Sequence, residues 1–311
     1  MRGGNGLRKT GLRETGQRET LTGIALMVSA VAGFASIDAS AKFLSGTMSP
    51  MLIVAVRYLV SFVIVAAFLA ARRDIVGLMR TRKPGLQVLR SLCLVTATMC
   101  SFVALRYLPL AQVTSITFAS PLVVALIAGP LLGERVGWRR AVAVLVGFSG
   151  VLVVSRPGVS GMHPAALLAV VTALVNGVYI VVTRMLAAHD PPETTMFYTG
   201  LVGSVLTAPF LPFLWETPAE PSTWFGILSV GFFGALGHWL LILAHRRAPA
   251  STLAPFAYAH LLWAVLLGFL IFGHLPDHWT VIGGAVVAAS GLYLLYHERP
   301  RVTPPGEEGA V

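Results

Sequence analysis

Along the 311 residues, long apolar runs alternate with short polar breaks. The runs fall at about 21–43, 50–71, 86–107, 111–132, 137–155, 164–187, 194–215, 224–244, 250–272 and 279–296. Each meets or approaches the roughly 20 helical residues that span a hydrocarbon core about 30 Å thick. The pattern predicts an all-α integral membrane protein with ten transmembrane helices. Proline stands at or near several predicted starts, at Pro50, Pro164 and Pro192. The first helical turn suits it, because its missing N–H has no partner there anyway. The breaks are short, so consecutive helices should be antiparallel neighbours.

Composition agrees with that reading. The chain is 56% hydrophobic and 12% charged, against about 25% charged in an ordinary soluble domain. Its net charge of +10 would suggest nucleic acid in a soluble protein. Here the basic residues lie between apolar runs, with no aromatic-basic interleaving, so no nucleic-acid partner is expected. Most of the 23 lysines and arginines fall on one face if the N-terminus is cytoplasmic. That bias predicts an inner-membrane, multi-pass protein with both termini in the cytoplasm, and it counts Arg90 with the cytoplasmic segment before the third helix. Residues 1–20, with "LRKTG LRETG QRET", read as a disordered cytoplasmic tail, and 299–311 as a second tail. Cys93 and Cys100 form no disulfide framework.

The chain also repeats itself. "LGERVGWRRAVAVLVGFSGVLVV" at 132–154 parallels "FGHLPDHWTVIGGAVVAASGLYLL" at 272–295. Pro109 matches Pro249, while Lys42 and Pro50 match Arg184 and Pro192 at a constant offset. The halves are 21–158 and 164–298. With five helices each, they must sit in opposite orientations, and inverted repeats of this kind accompany transport sites between the halves.

Residues 102–158 carry "ALRYLPLAQ", "SPL", "LLGERV" and "GFSGVLVV". These resemble the EamA-type repeat of the drug/metabolite transporter superfamily, and the likeness extends over about 20–298. It implies ten helices around a central cavity that opens alternately to each side. It also implies a secondary transporter of a small polar or amphipathic metabolite. An amino-acid-like or amino-acid-derived solute, exported, comes first. Import of a vitamin or nucleoside-like solute such as riboflavin or S-adenosylmethionine is the alternative. The pattern keeps a glutamate in both "GE" turns; Glu134 is present, but His274 stands in the second. Glu134 among Arg135, Arg139 and Arg140 reads as a structural ion-pair cluster.

Other classes fit less well. No paired acidic motif points to a membrane-embedded enzyme, and the inverted repeat favours alternating access over a channel. No nucleotide-binding loop occurs, so a gradient must drive any uphill transport. No cofactor or metal is expected; "HLPDH" at 274–278 mimics a metal pair, but Pro276 breaks its helix. A small-molecule solute and the bilayer are the expected partners, with proton coupling and a homodimer left open.

The candidate site comes from polar groups inside the apolar runs. "GFASIDASAKFLSG", 33–46, holds Asp38 and Lys42. At 1.5 Å per residue, Asp38 lies about 7–8 Å below the outer end of its helix and Arg57 about 10 Å below the same side. An unpaired charge at mid-bilayer costs about 2.5–3.5 kcal/mol on insertion scales. Asp38 is therefore expected to pair with Lys42 or Arg57, and with Arg57 to bind a zwitterionic solute or a proton. A structural pin between the first two helices is the competing reading. The repeat places Ile180 and Thr199 opposite Asp38 and Arg57, so the fold of one half does not need the pair. Asn176, Tyr179, His238, Trp239, Tyr258, His260 and Trp263 complete the candidate set. Their rings can stack on a solute or cation, and the two histidines titrate in the physiological range. "GFFGALG", 231–237, reads as a close helix approach.

Overall fold

The computed structural model describes residues 4–71, 80–132, 138–156, 163–187, 189–215, 217–248 and 250–297. Glu134 and the tail 299–311 lie outside the described residues. Among the described residues every regular element is helical. The principal helices are α1 (Gly4–Leu44), α2 (Pro50–Ala71), α3 (Pro84–Tyr107), α4 (Leu110–Thr117), α5 (Ser120–Leu132) and α6 (Trp138–Ser155). They continue with α7 (Ala165–Ala187), α8 (Pro192–Thr207), α9 (Pro221–Arg247), α10 (Ala259–Phe272) and α11 (His278–His297). Short helical turns extend α8 and precede α10. Six stretches are long and apolar enough to cross a membrane, the longest being Gln17–Leu44 and Pro221–Arg247. The protein is a multi-pass membrane protein.

Two expectations need correction. Residues 4–20 are not a disordered tail; they continue α1. Leu, Arg, Lys, Gln and Glu favour helix, and a helix already nucleated in the span extends at low cost. The fourth and ninth apolar runs are not single helices. Pro121 has no N–H to give the Thr117 carbonyl, which accepts from the Ser120 hydroxyl instead at 2.6 Å. α4 therefore ends at Thr117 and α5 starts at Ser120. In the ninth run Pro255 lies in a tighter 3₁₀ turn, Ala254–Tyr258, before α10 begins.

Glycines let the helices close. α1 and α9 run antiparallel, with Gly23 against Ala248, Gly33 against Gly237, and Leu44 against Gly226. The three glycines of "GFFGALG" face Val60 and Ser61 of α2 and Phe34 of α1. α6 and α11 are also antiparallel: a Cβ built on Gly150 or Gly283 would strike the other's carbonyl oxygen at 2.8 or 2.6 Å. The most extensive packing joins α1 to α9, α3 to α7, and α6 to α11, with α2 lying between α8 and α9.

Beyond α10, Gly273 adopts φ 67° and its N–H reaches back to Phe269 O, a left-handed helix stop. His274 stacks on Phe272 and its N–H bonds to Gly268 O. Asp277 then caps α11 through Thr280 N at 2.9 Å and pairs with Arg156 at 2.7 Å. This turn closes without a glutamate at 274.

Candidate functional site

A cavity of about 770 Å³ lies between the halves, walled by α2, α3, α7, α8 and α9. Asp190, Pro192, His245 and Arg246 stand at its mouth. Arg57, Tyr58 and Ser61 close its far end. Along α9 the lining runs from Arg246 to Gly234, about 18 Å at helical rise, more than half of a hydrocarbon core. Met27, Val65, Leu94, Ile180 and Leu241 make much of the wall apolar.

Its two inner cations are arginines. Arg57 is 8% exposed and Arg90 is 7% exposed. Arg57 Nη1 donates to Thr98 Oγ1 at 2.6 Å, and its guanidinium lies over the Tyr58 and Phe102 rings. Arg90 Nε donates to Thr183 at 2.7 Å, Nη1 to Thr199, and Nη2 to the Tyr179 hydroxyl at 2.6 Å. Its guanidinium also lies 4.5 Å from the centre of the Tyr179 ring. His238, edge-on to Phe34 at 5.1 Å, faces the same space.

At the mouth, the Asp190 carboxylate accepts from the Thr81 hydroxyl, from Gln87 Nε2 at 2.9 Å and from Arg82 N at 3.1 Å. Burial works to raise its pKa. These hydrogen bonds, with the charge of His189, outweigh it and hold the carboxyl below its ordinary value. The segment before α3 is thereby tied to the turn between α7 and α8.

The EamA-like transporter profile matches residues 21–156 and 163–296, one copy on each half. The chain belongs to the EamA-like transporter family. This EamA-like transporter is 30% identical to a riboflavin transporter of Vibrio cholerae, over 89% of its own length and 94% of the relative's. It is 24% identical to an S-adenosylmethionine uptake transporter of Rickettsia conorii, covering 90% and 94%. A riboflavin transporter of Brucella anthropi matches at 27% over 86% and 96%. A solved crystal structure superposes with a TM-score of 0.63 at 21% identity, over 88% of this chain and 98% of that one, a likeness of fold.

Of the candidates predicted from sequence, Arg57, Tyr179 and His238 line the cavity of this transporter. Trp239 lines a smaller pocket of about 180 Å³ beside it, against Phe68. Asn176 donates to the Ser120 hydroxyl at 3.2 Å, between α7 and α5. Trp263 packs in the apolar cluster around Met27 and Leu253.

The expected pairing of Asp38 with Lys42 or Arg57 does not form. Asp38 Oδ2 lies 3.3 Å from His260 Nε2, a contact short of hydrogen-bond alignment. His260 and the buried Tyr258 both abut Phe118, at 5.8 and 5.0 Å, where the two broken helices meet. Lys42 is taken by another task. Its Nζ donates to Leu105 O at 3.0 Å and Leu108 O at 2.8 Å. Pro109 has no N–H for the Leu105 carbonyl, so Lys42 caps α3 from a neighbouring helix.

Arg90 was missed. Counting basic residues for topology assigned it to a cytoplasmic segment, yet it lies inside α3. The available signal was position: Arg90 stands about 9 Å past Pro84 at helical rise, on a helix whose neighbours supply hydroxyls.

Proposed function

We propose that this EamA-like transporter is a secondary carrier of a ring-bearing, vitamin- or nucleoside-like solute, working by alternating access in the inner membrane. It would cross the membrane ten times as two inverted five-helix halves with both termini in the cytoplasm. The observation that carries the reading is where the helices break. With Pro109 aligned on Pro249, the α4–α5 break at Phe118 falls on Tyr258, where the 3₁₀ turn gives way to α10. These two residues meet each other, 5.0 Å apart. Discontinuous helices meeting between inverted repeats are where carriers hold their solutes.

The packing supports the same symmetry. Exchanging the halves turns the α1–α9 pair into the α7–α3 pair, and maps α6–α11 and α2–α8 onto themselves. The cavity draws Arg57 and Arg90 from one half and Tyr179, Thr199 and His238 from the other. Its mouth, beside Arg246, lies on the face that the basic residues assign to the cytoplasm, which supports an inward-facing reading.

The relatives are named for riboflavin and S-adenosylmethionine, which favours this class over amino-acid export. Between the two, two buried guanidiniums suit the carbonyl edge of a flavin ring and repel a sulfonium cation. We assign the coupling proton to the Asp38–His260 contact near the helix breaks.

Counterflow in proteoliposomes tests this reading. Vesicles loaded with unlabelled riboflavin should draw in labelled riboflavin faster than empty ones, since exchange through one alternating site gives trans-stimulation. No trans-stimulation by riboflavin, or by any other ring solute tried, refutes it. Cysteine labelling of 80–83 from the cytoplasmic side and of 218–220 from the outside tests the orientation.

A further inference from the structure

The hydroxyls that hold Arg57 and Arg90 do not neutralise them. Thr98, Thr183 and Thr199 each donate their own proton to a carbonyl one turn back, at Leu94, Tyr179 and Thr195. Their oxygens are thus fixed as acceptors toward the arginines. The ion pairs among the described residues are Arg156–Asp277, Arg246–Glu193 and Arg247–Glu19, with the Asp38–His260 contact beside them. Neither Arg57 nor Arg90 belongs to one. Asp190 is at the mouth, its oxygens already engaged by Thr81, Gln87 and Arg82.

A guanidinium has five N–H donors. Arg90 spends three on neutral groups, and among the described residues Arg57 engages only the neutral hydroxyls of Thr98 and Tyr58. Donors therefore remain on both. Arg90 and Thr98 lie about 12 Å apart along α3 at helical rise, so the two guanidiniums can address one solute of modest size. Two buried like charges with no counter-ion among the described residues are costly in a low-dielectric span, and apolar walls focus their field into the cavity.

We propose that the solute presents an anionic oxygen group, a carboxylate or a phosphate, to the Arg57 guanidinium, while Arg90 addresses another part of the same solute. The proposal deepens the transporter reading and rests on it. Stacking on Tyr179 and Tyr58 holds the guanidinium planes, and the threonines fix their rotation, so little ordering remains when the anion arrives.

The test uses the full chain in nanodiscs of zwitterionic lipid and two matched probe pairs: riboflavin with riboflavin 5′-phosphate, and nicotinamide with nicotinate. Binding is read by thermal shift over a concentration series. The expected result is tighter binding of the anionic member in at least one pair. Arg57→Gln should weaken that member about ten- to a hundredfold, the range for a lost hydrogen bond to a charged group. The neutral member should change less than twofold, and Arg57→Lys should recover part of the loss. Arg57 is the better variant, since Arg90 also ties α3 to α7 and α8. Absence of anion-selective binding in both pairs overturns the proposal, as does Arg57→Gln weakening both members alike, the mark of a structural pin. An anionic lipid that displaces the probe as well as riboflavin 5′-phosphate does would make the anion a headgroup and also overturn it. Failure of the transporter reading would look different: selective binding intact, with no counterflow.

Discussion

Gly283→Ala probes the seam between the halves, and its cost follows from the geometry. The added Cβ would sit 2.6 Å from the Gly150 carbonyl oxygen, 2.6 Å from Val154 Cγ2 and 3.0 Å from Val154 N. Ordinary contact begins near 3.4 Å. Two of the three atoms are backbone and Val154 is fully buried, so no side chain can swing aside. α6 and α11 must part by about 0.8 Å, and their packing falls off with the gap. Overpacking of this kind costs about 1–3 kcal/mol. The helix preference of alanine over glycine returns up to about 1 kcal/mol. A net loss of about 1–2 kcal/mol should lower the thermal midpoint in detergent by roughly 2–5 °C. Gly85→Ala is the control, because its methyl meets nothing within 4 Å; its midpoint should stay level or rise slightly. Gly150→Ala should resemble Gly283→Ala, and the double variant should lose less than the sum, since one separation relieves both contacts. A Gly283→Ala protein as stable as the parent, or fully additive losses, would refute the close approach of these helices.

Three further outcomes are expected. Lys42→Met removes both donors to the α3 carbonyls and should cost about 1–3 kcal/mol in detergent unfolding; an unchanged midpoint would mean that α3 needs no cap from α1. Asp38→Asn should reduce pH-gradient-driven accumulation at least tenfold while sparing counterflow, measured on the same proteoliposomes. Unchanged accumulation would remove Asp38 from proton coupling. The lowered pKa of Asp190 contributes stability that is complete above the unfolded value near 3.8 and is lost as pH falls through the folded value beneath it. Thermal midpoints of the wild type should therefore drop below about pH 4, and those of Asp190→Asn should drop less; parallel curves would show that this carboxylate carries no such linkage.

The all-helical membrane character and the kinship of the two halves are legible in the sequence because the bilayer imposes the first and the repeated motifs carry the second. A chain in hydrocarbon must satisfy its backbone internally, so each crossing needs one long apolar helical run, and such runs can be read without knowing their neighbours. Pro50, Pro192 and the glycines of "GFFGALG" announce their own conformational roles. Nothing in the sequence says how each helix is rotated about its axis, and that rotation decides the site. Asp38 faces α10 and meets His260 instead of Arg57. Lys42 turns to a carbonyl left open by a proline sixty-seven positions away. Arg90, indistinguishable in sequence from a topology-setting charge, points inward because hydroxyls on α7 and α8 converge on it. Lipid solvates any apolar face equally well, so only packing across the two halves chooses which polar groups share the cavity.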